Sequence, residues 1–141
     1  MNSKKEEYLR EKFNKHKPKF IRLLGGAVGE VSFHPPSCTY NFDICKDYCH
    51  SVDIVQGGFV TAMLDAAMSH SAYAIDETIL FVSTIEISTR FHAATRAGKI
   101  AATGLVRTAS YKIAFLEGQL HNEAGELTAT SQSTVKLTRK K

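Results

Sequence analysis

The sequence has no tryptophan, and only three prolines and three cysteines among its 141 residues. Three cysteines cannot make a disulfide framework, and a low, odd count fits a reducing compartment. Cys45, Cys49 and His50 lie close together, but Cys-x3-Cys-His without a second ligand pair is a weak metal signal, so no metal is expected. No apolar run approaches the roughly 20 residues needed to cross a bilayer. Met1 is followed by charged residues rather than a leader-type apolar segment. A soluble, cytoplasmic protein with no membrane partner is the expectation. Repeats, low-complexity tracts and linkers are also missing, which points to one domain. A content of 43% hydrophobic and 23% charged residues excludes a disordered chain.

Cations are scarce where they would matter most for nucleic-acid binding. The formal charge is +4, yet residues 1–22 hold eight basic and three acidic side chains, and Lys136, Arg139, Lys140 and Lys141 crowd the other end. Between them, residues 23–135 carry six basic against eleven acidic groups. The basic excess belongs to the ends, and the body is mildly acidic. With no recognition-helix motif either, no nucleic-acid partner is expected.

The first 26 residues read as a helical arm. Ser3 with Glu6 forms a capping-box pattern, and Leu9 and Phe13 share a helix face. Pro18 is expected as the first residue of a second turn carrying Phe20, Leu23 and Leu24 to the stop at Gly25-Gly26. From Ala27 the period changes to two: Ala27–Phe33 alternates up to Pro35-Pro36, and Thr39–Ile44 alternates again. Residues 50–58 read as a loop. Residues 59–74 lack Gly and Pro and are rich in Ala and Met, which predicts a largely buried helix. Four strand-like runs follow, at about 81–92, 98–109, 112–121 and 126–137. In the first, Phe81, Ser83, Ile85, Ile87 and Phe91 are expected on one face, with Glu86, Ser88 and Arg90 on the other. The pattern predicts an α+β fold, an antiparallel sheet of five to six strands wrapped around one long helix.

The segment richest in chemistry is Gln56-Gly57-Gly58, running straight into the long helix with Asp65 inside it. A helix start leaves N–H groups unpaired and carries a partial positive charge. Glycines there admit a substrate oxygen, so a carbonyl could be polarised at this point and its oxyanion stabilised. Asp65 stands among Ala62, Met63, Leu64, Ala66 and Met68, where a carboxylate is costly unless it has partners or a task. Read structurally instead, Thr61, Asp65 and Ser69 form a narrow solvated stripe at i, i+4, i+8. The walls of a pocket beside this helix are expected to include Phe59, Met63, Met68 and Tyr73.

The stretch Gln56-Gly-Gly-Phe-Val-Thr-Ala-Met-Leu-Asp65, the strand Ser83–Phe91 and Gly98–Gly104 resemble hotdog-fold acyl-CoA thioesterases of the phenylacetate-degradation (PaaI) type, within the 4-hydroxybenzoyl-CoA thioesterase superfamily. The resemblance implies a hotdog domain over residues 27–141, preceded by the arm 1–26. It also implies hydrolysis of an acyl-CoA thioester to a free acid and coenzyme A, which enters as part of the substrate with no other cofactor. The Gly57 amide would polarise the thioester carbonyl with Gly58 beside it. Asp65 would act as general base or nucleophile, and Ser83 would help hold the water. Gln56 and His50 stand where the family usually has His and Asn. Ser110 and Lys112, then Arg90, would meet the coenzyme phosphates, and Met68 the acyl group. The resemblance further implies a homodimer or dimer of dimers with the site at the subunit interface. Two other readings stay open: an acyl-CoA binding or sensing protein without turnover, and an acyl thioester dehydratase or hydratase. The second favours a histidine, which Gln56 does not supply.

Overall fold

The structure is a computed structural model that describes residues 3–141. Helix α1 (Lys4–Lys15) opens on the Ser3 capping box: the Ser3 hydroxyl accepts the Glu6 N–H at 3.2 Å, and Glu6 accepts the Ser3 N–H at 2.6 Å. Pro18 is the N-cap of α2 (Lys19–Leu23) rather than its first residue, since its ψ of 151° is still extended. The strands are β1 (Gly26–Phe33), β2 (Pro36–Ile44), β3 (Ile79–Phe91), β4 (Gly98–Ala109), β5 (Ile113–Asn122) and β6 (Leu127–Arg139). They form one antiparallel sheet in the order β1-β2-β4-β5-β6-β3. The long helix α3 (Gly57–Ala72) lies across its inner face. No helix among the described residues is long and apolar enough to cross a membrane.

The inner rows follow from alternation. Cys38, Tyr40, Phe42 and Ile44 of β2, Ala114, Leu116 and Leu120 of β5, and Val135 and Leu137 of β6 are all buried against α3. Small residues let the helix come close. A Cβ on Gly104 would run into the Ala67 carbonyl, so that β4 position has room only for hydrogen. The first half of β3 departs from the expected face. A bulge between Thr84 and Glu86 shifts the phase by one residue, leaving Phe81 (66% exposed) and Ile85 (60%) outside while Ile87 packs on the core.

The two sheet edges are treated differently. The arm covers β1: Asn14 donates to the Val28 carbonyl at 2.9 Å and accepts the Val28 N–H at 2.8 Å, copying a strand's own bonding. Glu6 accepts the Phe33 N–H at 2.7 Å and fixes the other end of the helix. Beyond β3, by contrast, no strand pairs among the described residues.

Candidate active site

Helix α3 starts two residues earlier than the Gly-free run suggests, because both glycines are helical and Gln56 is the N-cap. The Gln56 side-chain oxygen accepts the Gly58 N–H at 2.7 Å. The Gln56 carbonyl accepts from Phe59 at 3.0 Å and Val60 at 3.3 Å. That leaves the Gly57 N–H as the first-turn amide without a protein acceptor among the described residues. A Cβ on Gly58 would come within 2.7 Å of the Gln56 oxygen, so a larger residue there would push the capping side chain aside.

The loop holding Gln56 is stitched down. Gln56 N–H donates to the Tyr48 carbonyl at 2.9 Å, Val55 N–H to Thr95 at 2.8 Å, and Tyr48 stands edge-on to Phe59 at 4.9 Å. The Tyr48 hydroxyl donates to the Leu23 carbonyl at 3.1 Å and ties the loop to the arm. Gly57 opens into a cleft of about 320 Å³, lined also by His50, Phe91 and His92. The His50 ring bonds Ser51 at 2.9 Å, and His92 Nε2 bonds the Thr130 hydroxyl at 2.8 Å.

Asp65 is half-buried and faces β3 rather than open solvent. Thr84 donates to its carboxylate at 2.8 Å, with Ser69 at 3.5 Å. One turn earlier, Thr61 donates to Thr89 at 3.1 Å, and Thr89 bonds Ser131 at 3.2 Å. The stripe Thr61-Asp65-Ser69 therefore faces a row of hydroxyls on β3 and β6, with Thr61 and Asp65 hydrogen-bonded to β3. Ser83 precedes Thr84 on the opposite face of the strand, turned from Asp65 by the pleat. Sequence reasoning did not single out Thr84, Thr89 or His92. For the two threonines, only the bulge that sets the phase of β3 identifies their side.

Gly57 and Asp65 sit eight residues apart on one helix, roughly 12 Å along its axis. The Gly57 N–H points out of the N-terminus, away from Asp65, so a carbonyl bound there stands further off still. A carboxylate working through one water reaches about 6 Å. The two groups of one chain do not act on the same carbonyl.

The other expected residues are scattered. Ser110 closes its own turn, donating to the Ile113 carbonyl at 3.2 Å and accepting the Ile113 N–H at 3.3 Å. Lys112 and Arg90 are exposed, Arg90 on the outer face of β3. Met63 and Met68 are fully buried, Met68 against Gly118 of β5. Tyr73 packs on Phe13 and His70, away from the cleft. Among the described residues no three His, Cys, Asp or Glu side chains converge as a metal site.

This sheet order, with one helix across the inner face, recurs in solved structures. A phenylacetic acid degradation-related protein from Ralstonia eutropha JMP134 superposes with a TM-score of 0.80 over 86% of this chain and 91% of that one, at 24% identity. The E. coli PaaI protein from the phenylacetic acid degradation operon gives 0.82 over 93% and 92%, at 11% identity. The chain has the hotdog fold. A thioesterase from Haemophilus influenzae shares it, with a TM-score of 0.79 over 98% of this chain and 93% of that one, at 14% identity. No protein-family profile matches the chain, and no curated protein matches it at a significant level.

Proposed function

We propose that this hotdog protein hydrolyses acyl thioesters of coenzyme A in a site shared between two copies of the chain. The observation that carries the reading is the pair on α3: one free first-turn amide and one strand-facing carboxylate, too far apart to serve one carbonyl within a chain. An antiparallel second copy, related by a two-fold axis near Thr61, places Gly57 of each chain beside Asp65 of its partner subunit. The unpaired edge of β3, with Phe81 and Ile85 exposed on it, is the surface available for that copy. Thioesterases among the solved structures with this fold support the same chemistry.

In the composite site, the Gly57 amide and the dipole of α3 polarise the thioester carbonyl and hold the oxyanion. Asp65 removes a proton from water as the oxygen attacks the carbonyl carbon. The tetrahedral intermediate then collapses, the carbon–sulfur bond breaks, and the coenzyme A thiolate departs and is protonated. Attack by Asp65 itself, through an anhydride opened by water, uses the same placement. Gln56 keeps the Gly58 amide occupied, so the oxyanion is offered Gly57. His50 lines the carbonyl cleft. Of the three residues expected at the coenzyme phosphates, Arg90 and Lys112 are exposed and in no ion pair among the described residues, while the Ser110 hydroxyl is already engaged in its turn.

The test is a panel of acyl-CoA esters with thiol release as readout. The wild type releases thiol from at least one ester, and Asp65→Ala loses about two orders of magnitude or more. Tight binding without turnover across the panel would instead favour a sensing protein, and undiminished turnover in Asp65→Ala would remove its assigned role.

A further inference from the structure

The first turn of α3 is a weak place to keep a catalytic donor. Gly57 and Gly58 form it, and glycine loses more freedom than any other residue when its backbone is fixed. Helix ends fray, and two glycines make fraying easier. An oxyanion donor, however, is effective when it is held in place before the charge develops. The Gly57 N–H therefore depends on whatever steadies the Gln56 cap.

Tyr48 has three attachments around that cap. Its carbonyl accepts the Gln56 N–H at 2.9 Å. Its ring stands edge-on to Phe59 of the first helical turns, with centroids 4.9 Å apart and an interplanar angle of 76°. Its hydroxyl donates to the Leu23 carbonyl of the arm at 3.1 Å. That carbonyl is a firm anchor, because Ile21 and Leu24 on either side of Leu23 are buried in the core. Asn14 also ties the arm to β1 with two hydrogen bonds to Val28. The loop itself is less regular: Lys46–Tyr48 is one 3₁₀ turn without a side-chain cap, and residues 50–53 are bends. The Val55 N–H, on the Thr95 carbonyl at 2.8 Å, holds the loop to the β3–β4 connection. Tyr48 supplies the hold from the arm.

We propose that Tyr48 is a positioning residue for thioester hydrolysis. It carries the anchorage of the N-terminal arm to the Gln56 cap, and so holds the Gly57 N–H where the oxyanion forms. The inference rests on the thioesterase reading and deepens it, giving the arm, which does not line the cleft at Gly57, a part in the reaction.

The test compares Tyr48→Phe with the wild type, and repeats the comparison with Gly57→Pro in both. Phenylalanine keeps the ring on Phe59 and loses the bond to Leu23; that bond is at the surface, so the variant should keep the fold. Amide exchange followed by NMR should be faster at Gln56 and Gly58, whose N–H groups bond within this network. With the best substrate of the acyl-CoA panel, kcat should fall about three- to tenfold, the scale of one hydrogen bond. KM should stay within about a factor of two, since the amide acts most strongly on the developing charge. In the Gly57→Pro background no N–H is left to position, and the same change should leave kcat unaltered. A merely structural role would lower activity by the same factor in both backgrounds. Unchanged amide exchange, an unchanged kcat, or an equal loss of kcat in the Gly57→Pro protein would each overturn the inference. Faster exchange with no acyl-CoA hydrolysis by the wild type would remove the thioesterase reading, and with it the role in catalysis, while the tether itself stood.

Discussion

At the scale of single residues, the same helix carries two titratable groups in contrasting surroundings. Asp65 faces β3, with the Thr84 hydroxyl on its carboxylate. His70 lies on the far side, in an aromatic box made by Phe13 of the arm, Tyr40 of β2 and Tyr73, with ring centroids 4.9 to 6.0 Å away. Its Nδ1–H donates to the Ala66 carbonyl at 2.8 Å. Burial lowers its pKa below the usual 6.5, against smaller opposing contributions from the Ala66 bond and the Asp65 charge. The folded protein therefore holds His70 neutral while the unfolded chain takes up a proton below 6.5, so stability falls as pH drops through that region. Melting temperatures measured from pH 7.5 to 5.5 should decline, and His70→Phe should flatten the decline; an unchanged slope in the variant would show that His70 is not its source.

At the scale of elements, periodicity made most of the fold legible. The capping box, the switch from helical to alternating pattern and the long Ala- and Met-rich run place α1, the strands and α3 within a few residues, because burial on one side is what those patterns record. Two features escape that logic. Gly57 and Gly58 read as loop by propensity, yet they are the first turn of α3, since Gln56 caps them from outside. The bulge in β3 depends on ladder hydrogen bonds rather than on residue type, so alternation put Phe81 and Ile85 on one face with Ile87 and missed Thr84 as the partner of Asp65. The start of α3 offers a clean probe of the amide. Gln56 has φ −62° and ψ 138°, which suits a residue preceding proline, and proline is favoured at the first helical position. Gly57→Pro should therefore keep the fold, shifting the exposed Phe91 ring that lies 3.2 Å from the new Cβ. It removes the one free N–H. Thioester hydrolysis should fall by about 10²–10³, the usual cost of a lost oxyanion donor; near wild-type turnover in a folded Gly57→Pro protein would exclude the amide from the reaction.

At the scale of the molecule, the arm and the open edge act as complementary devices. Asn14 blocks β1 by occupying both bonding groups of Val28, so among the described residues β3 is the edge left open, and the proposed association through it would close after two copies. In the proposed reading the composite site is the consequence that matters for function, because the axial gap between Gly57 and Asp65 keeps the two groups of one chain from a single carbonyl. That spacing was visible in the sequence, with the glycines running into the helix that holds Asp65; the structure adds that Gly57 is the first helical residue, with Gln56 as its cap. The most direct measurement mixes two inactive variants, Gly57→Pro and Asp65→Ala, after unfolding and refolding them together in equal amounts. If each site draws Gly57 from one chain and Asp65 from its partner, half of the dimers are mixed and each holds one intact site, restoring about a quarter of wild-type acyl-CoA hydrolysis. Activity that stays at the level of the separate variants would contradict the shared site.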